Sequence, residues 1–126
     1  MKETLFVILD IDGKEVISRI EQGTDVFIAD NPELFKHYWD NRKNIIEIVH
    51  SHPESFKDFS STDRGTMERL EKHVFEENQD VWFSIVTPDF YLGYSVKDKS
   101  EVELNPEAVW WLPYLRLLTN YFRGEI

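Results

Sequence analysis

Apolar residues along the chain fall into short blocks of strand length, interrupted by stretches where they recur at helical offsets. Thr4 to Ile11 (TLFVILDI) is a β-branched and aromatic run, and Asp12-Gly13 after it accepts the positive φ angles of a tight hairpin turn. A returning strand is expected from Lys14 to Ile20, and a third from Val26 to Ala29. Asn31-Pro32 then signals a helix start, because Asn caps free N–H groups and Pro is preset for the first turn. Leu34, Phe35, Tyr38 and Trp39 share one face of that helix, which is expected to end between Asp40 and Asn44.

Ile45 to Val49 reads as the next strand, followed by His50-Ser51-His52 and stopped by Pro53. A polar loop from Glu54 to Thr62 leads into a helix over Asp63 to Glu77, with Met67, Leu70 and Val74 at helical spacing. Val81 to Val86, Tyr91 to Val96 and Glu101 to Leu104 read as three more strands, separated by Pro88-Asp89 and a charged KDKS turn. Asn105-Pro106 repeats the helix-start signal and opens a last helix, apolar nearly all round and expected to kink at Pro113. Its Val109 to Phe122 span is too short for a bilayer and carries Arg116, so it should cover a core or a partner. The sum is one α+β domain over residues 1–126, with six or seven strands in a mixed central sheet flanked by helices.

Composition narrows the function classes. With 126 residues, 41% of them hydrophobic, and nine Phe, five Tyr and four Trp, there is material for one core and no second. The net charge is −10 and the bases are scattered, so nucleic acid and anionic membrane are poor partners. The absence of Cys excludes disulfides, thiolate metal sites and a cysteine nucleophile. The opening MKETLFVILDIDG is broken by Asp10 and Asp12 and has no small-residue cleavage site, so no signal peptide is expected and a cytoplasmic location is the default.

His50 and His52 lie two apart at a strand end, where residues i and i+2 point to the same side. Asp63 begins a helix that the intervening loop could fold back over that strand end. Two imidazoles and a carboxylate form the ligand set of an open catalytic zinc site. The competing reading makes the histidines ordinary strand-end residues and Ser60-x-x-Asp63 a capping box.

The full string HSHPESFKDFSSTD resembles the signature of the JAMM (MPN) zinc metalloprotease family, H-[ST]-H-P-x(6)-S-x(2)-D, at every fixed position. The flanking strand, the helix from Asp63 onward, the WFSIVTP strand and the upstream FIADNPELF are also similar to that family. The resemblance implies a cytidine-deaminase-like α/β sandwich that hydrolyses peptide or isopeptide bonds, often at the C-terminus of ubiquitin or a ubiquitin-like protein. It further implies zinc on His50, His52 and Asp63, an oxyanion-stabilising role for Ser60, and a general-base glutamate from an early strand. That glutamate usually sits in E-x-[CS]-G-x-L-x-G after a helix, a setting absent here, and its best match is Glu3. Ser51 is expected to order the ligands and Pro53 to fix the loop exit.

Among the other acids, Glu47 is an odd number of residues from His50 on one strand and should face away. Glu15, Glu21 and Glu33 read as solvated charges near turns or a helix start. LFVILDIDGK also resembles the D-x-D-G segment of haloacid-dehalogenase-type phosphatases, with Asp10 as nucleophile and Asp12 as acid/base. A hairpin turn at Asp12-Gly13 explains it better. His37 and His73 read as surface or hydrogen-bonded histidines, and Trp110-Trp111 as core. The alternative to a metallopeptidase is an MPN-like interaction module that binds a protein through its acidic surface and aromatic C-terminus.

Overall fold

The computed structural model of the chain describes residues 3–23, 31–52 and 57–119. The expected strand Val26 to Ala29, Pro53, and the end of the last helix at Tyr121 and Phe122 lie outside them. Six strands form one sheet: β1 (Thr4–Ile11), β2 (Lys14–Gln22), β3 (Ile45–Ser51), β4 (Trp82–Thr87), β5 (Phe90–Ser95) and β6 (Ser100–Glu103). Their order is β2-β1-β3-β4-β5-β6, antiparallel everywhere except between β3 and β4. The first hairpin forms as its sequence dictates, with Asp12 at φ 53° and Gly13 at φ 85° and the Gly13 N–H held by Asp10 Oδ1 at 2.8 Å. Asp10, near the end of β1, and Asp12, in the turn, are both exposed.

Three helices cover the sheet: α1 (Pro32–Asp40), α2 (Ser61–His73) and α3 (Leu112–Thr119). Alternation along β1 divides the core into two layers. Leu5, Val7 and Leu9 pack with Leu34 and Tyr38 of α1 and Met67 and Leu70 of α2, whereas Phe6 and Ile8 pack with Trp111, Leu112 and Leu115 on the α3 side. Bulges adjust this alternation. Val7 pairs with Arg19 but Ile8 with Ile17, which leaves Ser18 unpaired in β2. Ile8 pairs with Glu47 but Leu9 with Ile45, so Ile45 and Ile48 both face α1 and α2 while Glu47, Val49 and Ser51 turn toward α3.

Several expectations need correction. Trp39 does not join Leu34 and Tyr38 against the sheet; it is exposed beneath the Arg42 guanidinium, 3.9 Å from its ring centroid. The stripe on α1 is only wide enough for residues four apart, with Phe35 at its margin. The second helix starts at Ser61 and stops at His73, because the Phe75 N–H turns back to the Leu70 carbonyl at 3.0 Å and sends the Phe75 ring into the core beside Phe83. Pro113 produces no kink. Asn105-Pro106 opens only a 3-10 turn, Pro106–Ala108, and Pro113 sits in the first turn of α3, where its missing N–H needs no partner. Trp111 is buried, but its neighbour Trp110 is exposed and donates to Glu15 Oε1 at 3.2 Å. No helix among the described residues is long and apolar enough to cross a membrane.

His37 ties α1 to the bulge. The Ser18 hydroxyl donates to the Val7 carbonyl at 3.1 Å and lies 2.8 Å from His37 Nε2, while the Asn41 amide faces Nδ1 at 3.4 Å. A hydroxyl whose proton goes to a carbonyl must receive the ring N–H, so the imidazole is the Nε2–H tautomer. Burial and then the Arg19 charge lower its pKa, which keeps the ring neutral.

On the α3 side, Glu47 accepts from Ser84 Oγ at 2.6 Å and from the Tyr91 hydroxyl at 2.5 Å. Burial pushes its carboxyl up from 4.5 to about 7, against the pull of those two hydrogen bonds. A folded-state pKa above the unfolded value means stability that is intact below pH 4.5 and is lost as pH rises through 7. Glu47→Gln removes that dependence and can still accept both bonds. In urea titrations, the variant should gain about 3 kcal/mol on wild type between pH 4.5 and pH 7; a difference independent of pH would contradict the shift.

Candidate metal centre

The parallel pairing of β3 with β4 requires a crossover, and α2 supplies it. The crossover starts at the C-terminal end of β3, so the N-terminus of α2 returns above that end. The backbone there is fixed: the His52 N–H donates to the Val86 carbonyl at 2.8 Å, extending the β3–β4 ladder past Ser51. His50 and His52 share a face of β3, and Asp63 comes down on them from the first turn of α2.

The three donors converge. His50 Nε2 lies 2.9 Å from His52 Nε2 and 3.1 Å from Asp63 Oδ1, and His52 Nε2 lies 2.9 Å from Asp63 Oδ2. Donors placed ~2.0–2.1 Å from a tetrahedral ion stand about 3.3 Å apart. The set is thus within a few tenths of an ångström of a zinc-sized site, and its composition of two nitrogens and one oxygen suits that ion. Among the described residues this is the only cluster of three or more such side chains. His52 is buried, whereas the His50 and Asp63 side chains are 16% and 18% exposed, which leaves one side open to solvent or substrate.

Asp63 serves two structures at once. Its Oδ2 accepts from the Ser60 N–H at 2.8 Å while its own N–H donates to Ser60 Oγ at 3.0 Å, so the capping box is fully formed. The metal reading and the capping reading of Ser60-x-x-Asp63 are therefore compatible. Burial works to raise the Asp63 pKa, but the hydrogen bonds from His50 and His52, the His50 charge and the Ser60 N–H hold it well below the ordinary carboxylate range. These contacts favour the anionic form of Asp63, the form a metal ligand needs. Ser60 uses its oxygen as the cap acceptor, and among the described residues its hydroxyl proton has no acceptor.

Glu3 is buried at the start of β1. The antiparallel register pairs Leu5 with His50, so Glu3 lies at the end of β1 that borders the histidines. Burial raises its pKa, the charges of His50 and His52 lower it, and that of Asp63 raises it again, with a net rise. All three candidate ligands thus act on this carboxyl. The other acids lie elsewhere: Glu47 faces α3, Glu15 holds Trp110, Glu21 pairs with Arg19 at 2.6 Å, and Glu33 lies 3.7 Å from Arg19 at the start of α1. His73 is exposed at the end of α2.

Ser51 points away from the imidazoles, and its hydroxyl oxygen accepts from the Thr4 N–H and from Thr119 Oγ1, both at 2.9 Å. The sequence carries no signal for these contacts, which span 47 and 68 residues. In comparison with known proteins, no family model matches the chain and no curated protein matches it.

Elemental analysis of protein purified without chelator should find about one zinc per chain, bound in a site of the geometry above. Asp63→Asn keeps the capping acceptor but removes the charge, so it should fold and lose the metal, as should His52→Ala. Affinity should weaken below pH ~6.5, where protons compete for the imidazoles. Retention of zinc by both variants would exclude the triad as its ligands.

Proposed function

We propose that the chain is a zinc-dependent hydrolase of peptide or isopeptide bonds, of the JAMM type its HSHP and S-x-x-D motif resembles. Its substrate on this reading is the C-terminus of a ubiquitin-like protein or its conjugate, in the cytoplasm, and its sheet flanked by helices is a cytidine-deaminase-like sandwich. The observation that carries the reading is the convergence of His50, His52 and Asp63 at ligand spacing, with a buried carboxyl, Glu3, beside them.

When bound, zinc would activate a water near neutral pH and polarise the scissile carbonyl. His50, His52 and Asp63 would hold it, the last kept anionic and oriented by the Ser60 N–H. Glu3 accepts the proton of the attacking water and returns it to the leaving amine. The Ser60 hydroxyl donates a hydrogen bond to the developing oxyanion. The strongly acidic surface disfavours nucleic acid as a substrate.

A second reading, a protein-interaction module with little or no turnover, draws on the exposed Trp110, Tyr114 and Leu117 of the α3 segment.

Glu3→Gln separates the two. It preserves shape and hydrogen bonding but removes the proton acceptor, so the variant should fold, bind zinc and lose about 10²–10⁴ of the hydrolysis rate on a ubiquitin-like C-terminal extension. Equal rates in the variant and wild type would remove Glu3 from the chemistry. A zinc-loaded wild type with no turnover on any conjugate or extension would favour the interaction module.

A further inference from the structure

Both polar atoms of the peptide group that follows Glu3 are pinned. Its carbonyl oxygen accepts from the Gly23 N–H at 3.0 Å, and its N–H, that of Thr4, donates to Ser51 Oγ at 2.9 Å. The β1–β3 ladder ends at Leu5 and His50, so the Ser51 side chain takes over as acceptor where the backbone pairing stops. Thr119 Oγ1 in turn lies 2.9 Å from Ser51 Oγ and selects the Ser51 rotamer that reaches Thr4. Gln22 Nε2 closes the junction by donating to the Leu118 carbonyl at 2.9 Å and to Thr4 Oγ1 at 3.3 Å.

Thr4, Ser51 and Thr119 are wholly buried, in a layer whose apolar members include Phe6, Val49, Val86 and Leu115. A buried hydroxyl costs stability unless it is hydrogen-bonded, and Val or Ala would fill the same space without that cost. These hydroxyls are gathered at the one end of the sheet where Glu3 lies. A peptide plane held at both its polar atoms fixes the position of the preceding Cα, here that of Glu3, from which its side chain projects.

We propose that Thr119, on the last described turn of α3 and behind the sheet, is a positioning residue for Glu3, acting through Ser51 and the Glu3–Thr4 peptide. The proposal rests on the reading of Glu3 as the base beside a metal held by His50, His52 and Asp63. It makes α3 part of the site although the helix contributes no group to the open face. Displacement of a reacting group by about 1 Å can lower a rate by about 10².

Thr119→Val keeps the shape and deletes the donor; Thr119→Ser keeps the donor and serves as the rescue. Three measurements on the whole chain decide. In metal-free protein, hydrogen exchange at the Thr4 amide should quicken about tenfold in Thr119→Val and return to wild type in Thr119→Ser. In cobalt-substituted protein, the visible spectrum of Thr119→Val should move toward that of Glu3→Gln, with Thr119→Ser matching wild type. In hydrolysis assays, Thr119→Val should lower kcat about 10- to 100-fold with KM little changed, and should cost nothing further in a Glu3→Gln background. Unaltered Thr4 exchange overturns the proposal. Faster exchange with an unchanged cobalt spectrum also overturns it and leaves Thr119 as a structural tie alone. If wild type binds neither cobalt nor zinc, the metallohydrolase reading falls, and the exchange measurement still decides whether Thr119 holds the Glu3–Thr4 peptide.

Discussion

The carboxylate of Asp63 is the point on which the arrangement depends. One oxygen is shared between the Ser60 N–H and His52, and the other reaches His50. The start of α2 and the end of β3 are thereby joined through a single side chain. A helix N-terminus carries free N–H groups and a partial positive charge, which favours an anion there. That anion is then presented to two imidazoles that the period of a strand has already placed side by side. Capping and ligand presentation are one geometry.

The sheet order explains how so short a chain assembles this. Short turns join β1 to β2, β4 to β5 and β5 to β6, β1 and β3 pair across the intervening β2 and α1, and only the β3–β4 step is parallel. The crossover required by that step is the one place where a helix start must lie over a strand end. From the other side, β1 runs antiparallel to β3 and begins where β3 finishes, so its first residues border the same place. Two neighbours of opposite direction therefore deliver a histidine pair and a buried glutamate to one end of the sheet, and α3 closes it from behind through Thr119.

Legibility from sequence followed the range of the interaction. The β1 strand could be delimited because a β-branched run ends at Asp12-Gly13, whereas the start of α2 was read two residues late, at Asp63, although Ser60 and Asp63 cap each other three residues apart. For the triad, a strand period of two and a nearby carboxylate left the ligand and capping readings both open, and the resemblance of the HSHP and S-x-x-D string chose the former. Contacts made by single hydroxyls between distant segments leave no period. Ser51 with Thr119, and Glu47 with Ser84 and Tyr91, are examples. The orientation of Trp110 against Trp111 was equally hidden, because a short 3-10 turn followed by an extended residue rotates the chain before α3 begins. Pro113 misled because a proline reads as a kink until the first residue of its helix is known.

Among the described residues β2 and β6 are the outermost strands of the sheet, and β6 is only four residues long and exposed throughout. An open edge is a template for a second copy of the same chain. Glu101 and Glu103 alternate along β6 with Ser100 and Val102, and Arg64 reaches only the first of the two acids. Two copies meeting there edge to edge would bring these carboxylates together in a chain whose net charge is already −10. The growth of the sheet into a filament is thus opposed by charge as well as by strand length, a protection that salt screens.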